Sequence, residues 1–234
     1  MRLDRLLQKL TRQSNKQVLK WLEQGQVQLD GRPCLDGRAK TTEFSQIQLN
    51  GEAIYGKHGQ YWLMNKDAGV LSATSDPQHP TVIEALKALQ PDLDVSDIHI
   101  AGRLDRATTG LLILTNDGRW SKKLTRPEVK IPKRYLVTTQ NPIAPEAETR
   151  FREGIYFAYE DITTSPAELT LINETQAWLT IYEGKYHQIK RMFGTFRNPV
   201  IGLHRTQIGQ IHLEADLALG QARPLTSQEI EWLN

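Results

Sequence analysis

Apolar residues near the start of the chain recur with helical spacing. Leu3, Leu6, Leu7 and Leu10 follow the i, i+3, i+4, i+7 pattern of one buried face. Ser14 with Gln17 three positions later has the form of a capping box opening a second helix. That helix carries Val18 and Leu22 inward and Lys16 and Lys20 outward, and Gly25 stops it. The period then changes to two. Val27 and Leu29 alternate before Asp30-Gly31, and Ile47 and Leu49 alternate before Asn50-Gly51, both hairpin-turn dipeptides. Residues 1–54 are therefore predicted to be two short helices followed by a small β-ribbon. Residues 55–60 are polar and carry two glycines, as expected of a linker.

Beyond the linker the pattern is mixed. Strands are predicted at 61–64, 111–115, 135–139 and 177–182, the second of them ending in Asn116-Asp117-Gly118. A helix is predicted over 82–89 through Val82, Leu86 and Leu89. Another is predicted over 187–196, with Ile189, Met192, Phe193 and Phe196 on one face. No βαβ rhythm with a glycine-rich phosphate loop is present, which disfavours a parallel nucleotide-binding sheet. No repeat or low-complexity segment is visible.

Composition narrows the classes. The 234 residues are 39% hydrophobic, enough for a core. Apolar runs such as residues 111–114 are far too short to span a bilayer. The start, Met1-Arg2-Leu3-Asp4-Arg5, lacks the apolar core of a signal peptide, so a cytoplasmic protein is expected. The only cysteine is Cys34, which excludes an intrachain disulfide and a cysteine-based zinc site. The net charge of +2 conceals an asymmetry: residues 1–60 carry 10 basic and 6 acidic side chains, and the remainder 19 and 21. In the first twenty residues Arg2, Arg5, Lys9, Arg12, Lys16 and Lys20 stand against Asp4 alone, a basic surface suited to phosphates.

Candidate chemistry centres on residues 101–118. Asp105 lies between Arg103 and Arg106, shortly before Gly110 and the predicted 111–115 strand. A carboxylate beside cations stays ionised and can act as nucleophile or base. The same pattern also describes a surface turn with local ion pairs. Tyr135, alternating with Val137, reads by itself as a core residue, and Lys190 and Arg191 as a solvated helix face. The six histidines contain no His-x-x-x-His pair, so none reads as a metal ligand.

Several blocks in order resemble the RNA pseudouridine synthases. Gly102-Arg103-Leu104-Asp105, Thr109-Gly110-Leu111-Leu112 and Thr115-Asn116-Asp117-Gly118 are similar to that family's catalytic motif. Lys133-Arg134-Tyr135-Leu136-Val137 resembles its Lys-x-Tyr-x-Val strand, and residues 183–193 its late basic motif. Leu203-His204-Arg205 with Ile208-Gly209, and Arg223-Pro224-Leu225-Thr226, keep the same order. The resemblance implies an α+β fold: a small N-terminal helix and β-ribbon module, then a mixed, mainly antiparallel sheet flanked by helices. It implies Asp105 as the essential aspartate, Tyr135 as the residue stacking on the target uracil, and Lys190 as the basic partner of the aspartate, with Arg191 as its fallback. It further implies that Arg103, Arg106, Lys185, His187, Arg191 and Arg205 meet substrate or RNA. The isomerisation gains and loses no atoms, so no cofactor or metal is expected. One departure is Asn65-Lys66-Asp67, where many relatives carry Asn-Lys-Pro, which makes that turn less rigid.

The basic segment resembles the small RNA-binding module named after a small-subunit ribosomal protein. The expected division is 1–58 for this module and 59–234 for the catalytic domain. The six cations of its first twenty residues would then face RNA. Residues 76–82 and His204-Arg205 are most similar to family members acting on 16S ribosomal RNA, so the expected partner is 16S RNA or a small-subunit assembly intermediate, met by a monomer. The alternatives are a synthase acting on 23S RNA and a non-catalytic assembly factor.

Overall fold

The computed structural model describes residues 1–233 and contains two compact units, meeting in sequence at Gly59 and Gln60. The first opens with α1 (Leu3–Thr11) and α2 (Asn15–Glu23). Leu3, Leu6 and Leu7 pack against Val18, Leu22, Val27 and Ile47, so the two helical stripes meet over the ribbon. Leu10 departs from the predicted inward face: it lies at the end of α1 and is 37% exposed. Ser14 Oγ accepts from Gln17 N at 3.3 Å, so only half of the predicted capping box forms. The ribbon is antiparallel, with strands β1 (Val27–Leu29), β2 (Arg32–Pro33), β3 (Ile47–Leu49) and β4 (Glu52–Tyr55) in the order β2-β1-β3-β4. Asp30-Gly31 and Asn50-Gly51 all have positive φ, as a two-residue hairpin turn of the right twist requires.

The second unit is built on a nine-stranded sheet. Its elements in chain order are β5 (Tyr61–Lys66), α3 (Val82–Leu89), β6 (His99–Ala101), β7 (Thr109–Thr115), α4 (Gly118–Thr125), β8 (Lys133–Thr139) and α5 (Ala147–Glu153). A separate two-stranded hairpin follows, β9 (Tyr156–Phe157) and β10 (Ile162–Thr163). The chain then continues through β11 (Glu168–Leu171), β12 (Gln176–Ile181), α6 (Gln188–Gly194), β13 (Val200–Ile208), β14 (Ile211–His212), β15 (Ala222–Pro224) and α7 (Ser227–Glu231). The sheet order is β11-β12-β8-β13-β7-β5-β15, with β6 on β7 and β14 on β13. Every named pairing is antiparallel except β7 with β13. The fold is thus α+β with a mixed, mainly antiparallel sheet.

Alternation places residues on its two faces. On β8 and β12, Tyr135, Val137, Ala177, Leu179 and Ile181 point into the main core with Met192 and Phe193 of α6, while Arg134, Leu136, Trp178 and Thr180 take the other side. α3 begins at the reciprocal capping box of Thr81 and Glu84 and buries Val82, Ile83 and Leu86. α6 is shorter than its apolar pattern predicts. His187 has left-handed backbone geometry and caps it, and Phe196 packs against the core beyond its end.

The parallel β7–β13 contact positions the site. Arg205 pairs with Gly110 there. Gly110 has φ +102°, and a Cβ on it would lie 2.2 Å from Arg205 O, so the backbones approach as only glycine permits. This contact sets the loop before β7 against the strand that carries Arg205.

Candidate active site

Asp105 stands on the loop between β6 and β7, at the mouth of a cleft of about 220 Å³. The loop is tied from several directions. Ser72 Oγ donates to Leu104 O at 2.8 Å and accepts from Leu104 N at 3.1 Å. Thr108 N donates to Asp105 O at 3.0 Å and Gly69 N to Arg106 O at 2.8 Å. Lys66, fully buried at the end of β5, donates from Nζ to Asp67 O (2.8 Å), Arg106 O (3.2 Å) and Thr108 O (2.9 Å). Burial pushes the Lys66 ammonium down to about 8, against the opposing influence of Asp67 and Asp105.

The basic side chains beside Asp105 come from elsewhere in the chain. His187 Nε2 lies 3.5 Å and Lys190 Nζ 3.8 Å from Asp105 Oδ2. Neither flanking arginine pairs with the carboxylate, contrary to the local reading of the motif. Arg103 is exposed on the cleft rim. Arg106 turns away, its Nε donating to Gly69 O at 3.2 Å and its Nη1 lying 3.4 Å from His79 Nε2. Sequence neighbours on a tight loop diverge, whereas Lys190 on the first turn of α6 and His187 at its N-terminal cap position converge on the same carboxylate.

The cleft floor is formed by β8 and β13. Tyr135 is buried, and Arg205 Nη1 donates to its hydroxyl at 3.4 Å. Arg205 is itself buried, with Nε donating to Leu111 O at 2.8 Å, while its Nη2 has no partner in the protein. Lys133, two positions before Tyr135 and therefore on the same strand face, also lines the cleft and donates to Ile131 O at 3.1 Å. Burial, and then the neighbouring Arg205 charge, hold its ammonium down at about 8.

Glu183 organises the segment before α6. It accepts from Ser165 N (2.9 Å) and Gln188 Nε2 (2.9 Å) and pairs with Lys185 at 3.3 Å. The cleft thus gathers Asp105, Tyr135, Lys190, Arg103, Lys185, His187 and Arg205. Arg106 and Arg191 are not part of its lining. Arg191 forms a two-pronged ion pair with Glu160 and lies over the Phe157 ring at 3.7 Å, which fixes the β9–β10 hairpin to α6. Lys66, Lys133 and Glu183 lie in motif blocks of the sequence but carry no site role there. For Lys133 the period of two from Tyr135 was the available signal; the others needed three dimensions. In the first unit Arg2, Arg5, Lys9, Arg12, Lys16 and Lys20 are all exposed, with Arg2 paired to Asp4. Among the described residues no group of three His, Cys, Asp or Glu side chains is placed to hold a metal, and no helix is long and apolar enough to cross a membrane.

A carboxylate held by two basic groups, in a cleft with a buried tyrosine on its floor, suits chemistry on an extruded base. The sequence profile of the RNA pseudouridylate synthases matches residues 60–195, and the chain belongs to that family of isomerases. Among its relatives, ribosomal small subunit pseudouridine synthase A of Pseudomonas aeruginosa is 43% identical over 231 residues, covering 98% of this chain and 99% of the relative. The protein of the same name from Escherichia coli K12 is 40% identical over 232 residues, covering 98% of each. A solved pseudouridylate synthase superposes over the full length of both chains with a TM-score of 0.70 and 35% identity.

Proposed function

We propose that this chain converts one uridine of 16S ribosomal RNA into pseudouridine. The reading rests above all on the Asp105 carboxylate, held in a cleft by His187 and Lys190 and facing the floor made by Tyr135 and Arg205. The names of its full-length relatives support the small subunit as the target.

In this mechanism the target uridine leaves its stack and enters the cleft. Asp105, paired with Lys190 at 3.8 Å, initiates cleavage of the bond between the sugar carbon C1′ and uracil N1. The uracil turns against Tyr135, and its C5 bonds to C1′. C5 then gives up a proton and N1 gains one, so atoms and electrons balance without another reactant. Tyr135 stacks on the base and takes part in removing the C5 proton, while Arg205 holds the phenol in place. Residues 1–58 dock the RNA through their exposed cations, and residues 59–234 carry out the isomerisation. The protein works as a monomer in the cytoplasm, on 16S RNA or an assembling small subunit.

The decisive experiment pairs Asp105→Asn with RNA mapping. The variant is expected to lose activity by at least about a hundredfold while binding RNA with near wild-type affinity. Deleting the gene is expected to remove one pseudouridine from 16S RNA. Loss of a 23S site instead would reassign the substrate, and loss of none would favour an assembly role without catalysis.

A further inference from the structure

We infer that the exposed ring of Tyr186 is a stacking platform for the nucleobase next to the target uridine, resting on the reading of the cleft as the site of uridine isomerisation. Tyr186 is 76% exposed, an unusual state for a large aromatic side chain. It is nonetheless ordered against a neighbour: its ring stacks on the His187 imidazole, with centroids 3.9 Å apart and planes inclined by 20°. His187 in turn places Nε2 3.5 Å from the Asp105 carboxylate. One face of Tyr186 is therefore occupied by a residue that touches the reacting carboxylate, and the ring stands one aromatic layer away from the site.

The backbone here is held in an unfavourable shape. His187 has φ +47°, a left-handed conformation that costs a non-glycine residue energy and persists where surrounding contacts enforce it. Those contacts are present. Arg191, anchored by Glu160, donates to Tyr186 O at 3.4 Å, and Lys185 N donates to Gln188 Oε1 at 2.9 Å. At this left-handed turn two consecutive side chains stack their rings. A burial-driven core would not need it, since neither ring is buried.

An unstacked RNA base is the partner that this geometry fits. Extruding a uridine removes a stacking partner from the bases on either side. An exposed aromatic face replaces that partner without reading sequence, as in other single-strand binding sites. Lys185, also on the cleft and paired with Glu183 at 3.3 Å, keeps further N–H donors for the phosphate between the two nucleotides.

The test compares wild type with Tyr186→Ala, Tyr186→Phe and Tyr186→Trp in the full chain, on transcripts of small-subunit and large-subunit ribosomal RNA. On whichever RNA the wild type modifies, Tyr186→Ala is expected to raise KM about 5- to 100-fold with kcat within twofold, while the Phe and Trp variants retain wild-type KM. With 2-aminopurine placed beside the target uridine, its emission in the complex is expected to rise in the alanine variant only. A fall in kcat at unchanged KM would show that Tyr186 merely supports His187 and would overturn the proposal, as would unchanged kinetics and emission. Wild-type activity confined to large-subunit RNA would refute the 16S assignment while leaving the Tyr186 comparison intact.

Discussion

Replacing Lys66 by methionine separates stability from catalysis. The ammonium is fully buried and donates to three carbonyl oxygens, two of them on the Asp105 loop. Arg106 O also accepts from Gly69 N, and the bond to Asp67 O is only partly buried, so the loss falls mainly on Thr108 O. Losing a charged donor there, with a smaller loss at Asp67, costs about 2–4 kcal/mol. Against this, an amine held down at about 8 rather than 10.5 is carried at neutral pH at a cost of about 3 kcal/mol, which methionine removes. The two effects nearly cancel, and urea unfolding at pH 7 is expected to differ by no more than about 1.5 kcal/mol. The loop nevertheless loses its tether. A displacement of Asp105 by about 1 Å lowers rate roughly a hundredfold, so kcat is expected to fall at least tenfold with KM nearly unchanged. Linkage gives a second signature. Between pH 8 and 10.5 the unfolded Lys66 binds more protons than the folded one, so wild-type stability rises with pH across that window relative to the methionine variant. Lys133 titrates over the same range in both proteins and drops out of the difference. Wild-type kcat in Lys66→Met, or a stability difference that does not change between pH 7 and 10, would refute this account.

Two further outcomes are expected. The Lys133 and Lys66 ammonium groups both lose their protons as pH rises through about 8, so kcat/KM should decline over that range; in Lys66→Met the remaining decline should move to higher pH when Lys133→Arg is added, and an unchanged midpoint would assign it to another group. Changing Lys9, Arg12, Lys16 and Lys20 together to glutamine in the full chain should shrink the slope of log affinity against log salt by about 3. Saturating turnover should persist, and an unaltered slope measured by filter binding would place the RNA elsewhere.

Much of the architecture was legible because it depends on local periodicity. The hairpin turns at Asp30-Gly31 and Asn50-Gly51, the helix at 82–89 and the strand centred on Leu112 form where their patterns put them. Boundaries were less legible. β5 continues through Asn65 and Lys66, whose Nδ2 and Nζ donate to backbone carbonyls in the interior, and α6 starts after His187, which adopts a left-handed conformation.

For the site, the sequence by itself determined which residue types were available and in what order, and those blocks carry the family resemblance. It also put Lys133 and Tyr135 on one strand face, since side chains alternate every residue. Only the tertiary structure decided the partners. Asp105 meets His187 and Lys190, more than eighty positions away, instead of the arginines beside it, and Arg191 leaves the cleft for Glu160. Arg205 reaches Tyr135 because the two are register partners on the antiparallel β13 and β8, while glycine at 110 lets β7 close on the other side of β13. The reason is physical: periodicity fixes the direction of a side chain relative to its own element, whereas a charge finds its counter-charge through the packing of elements distant in sequence.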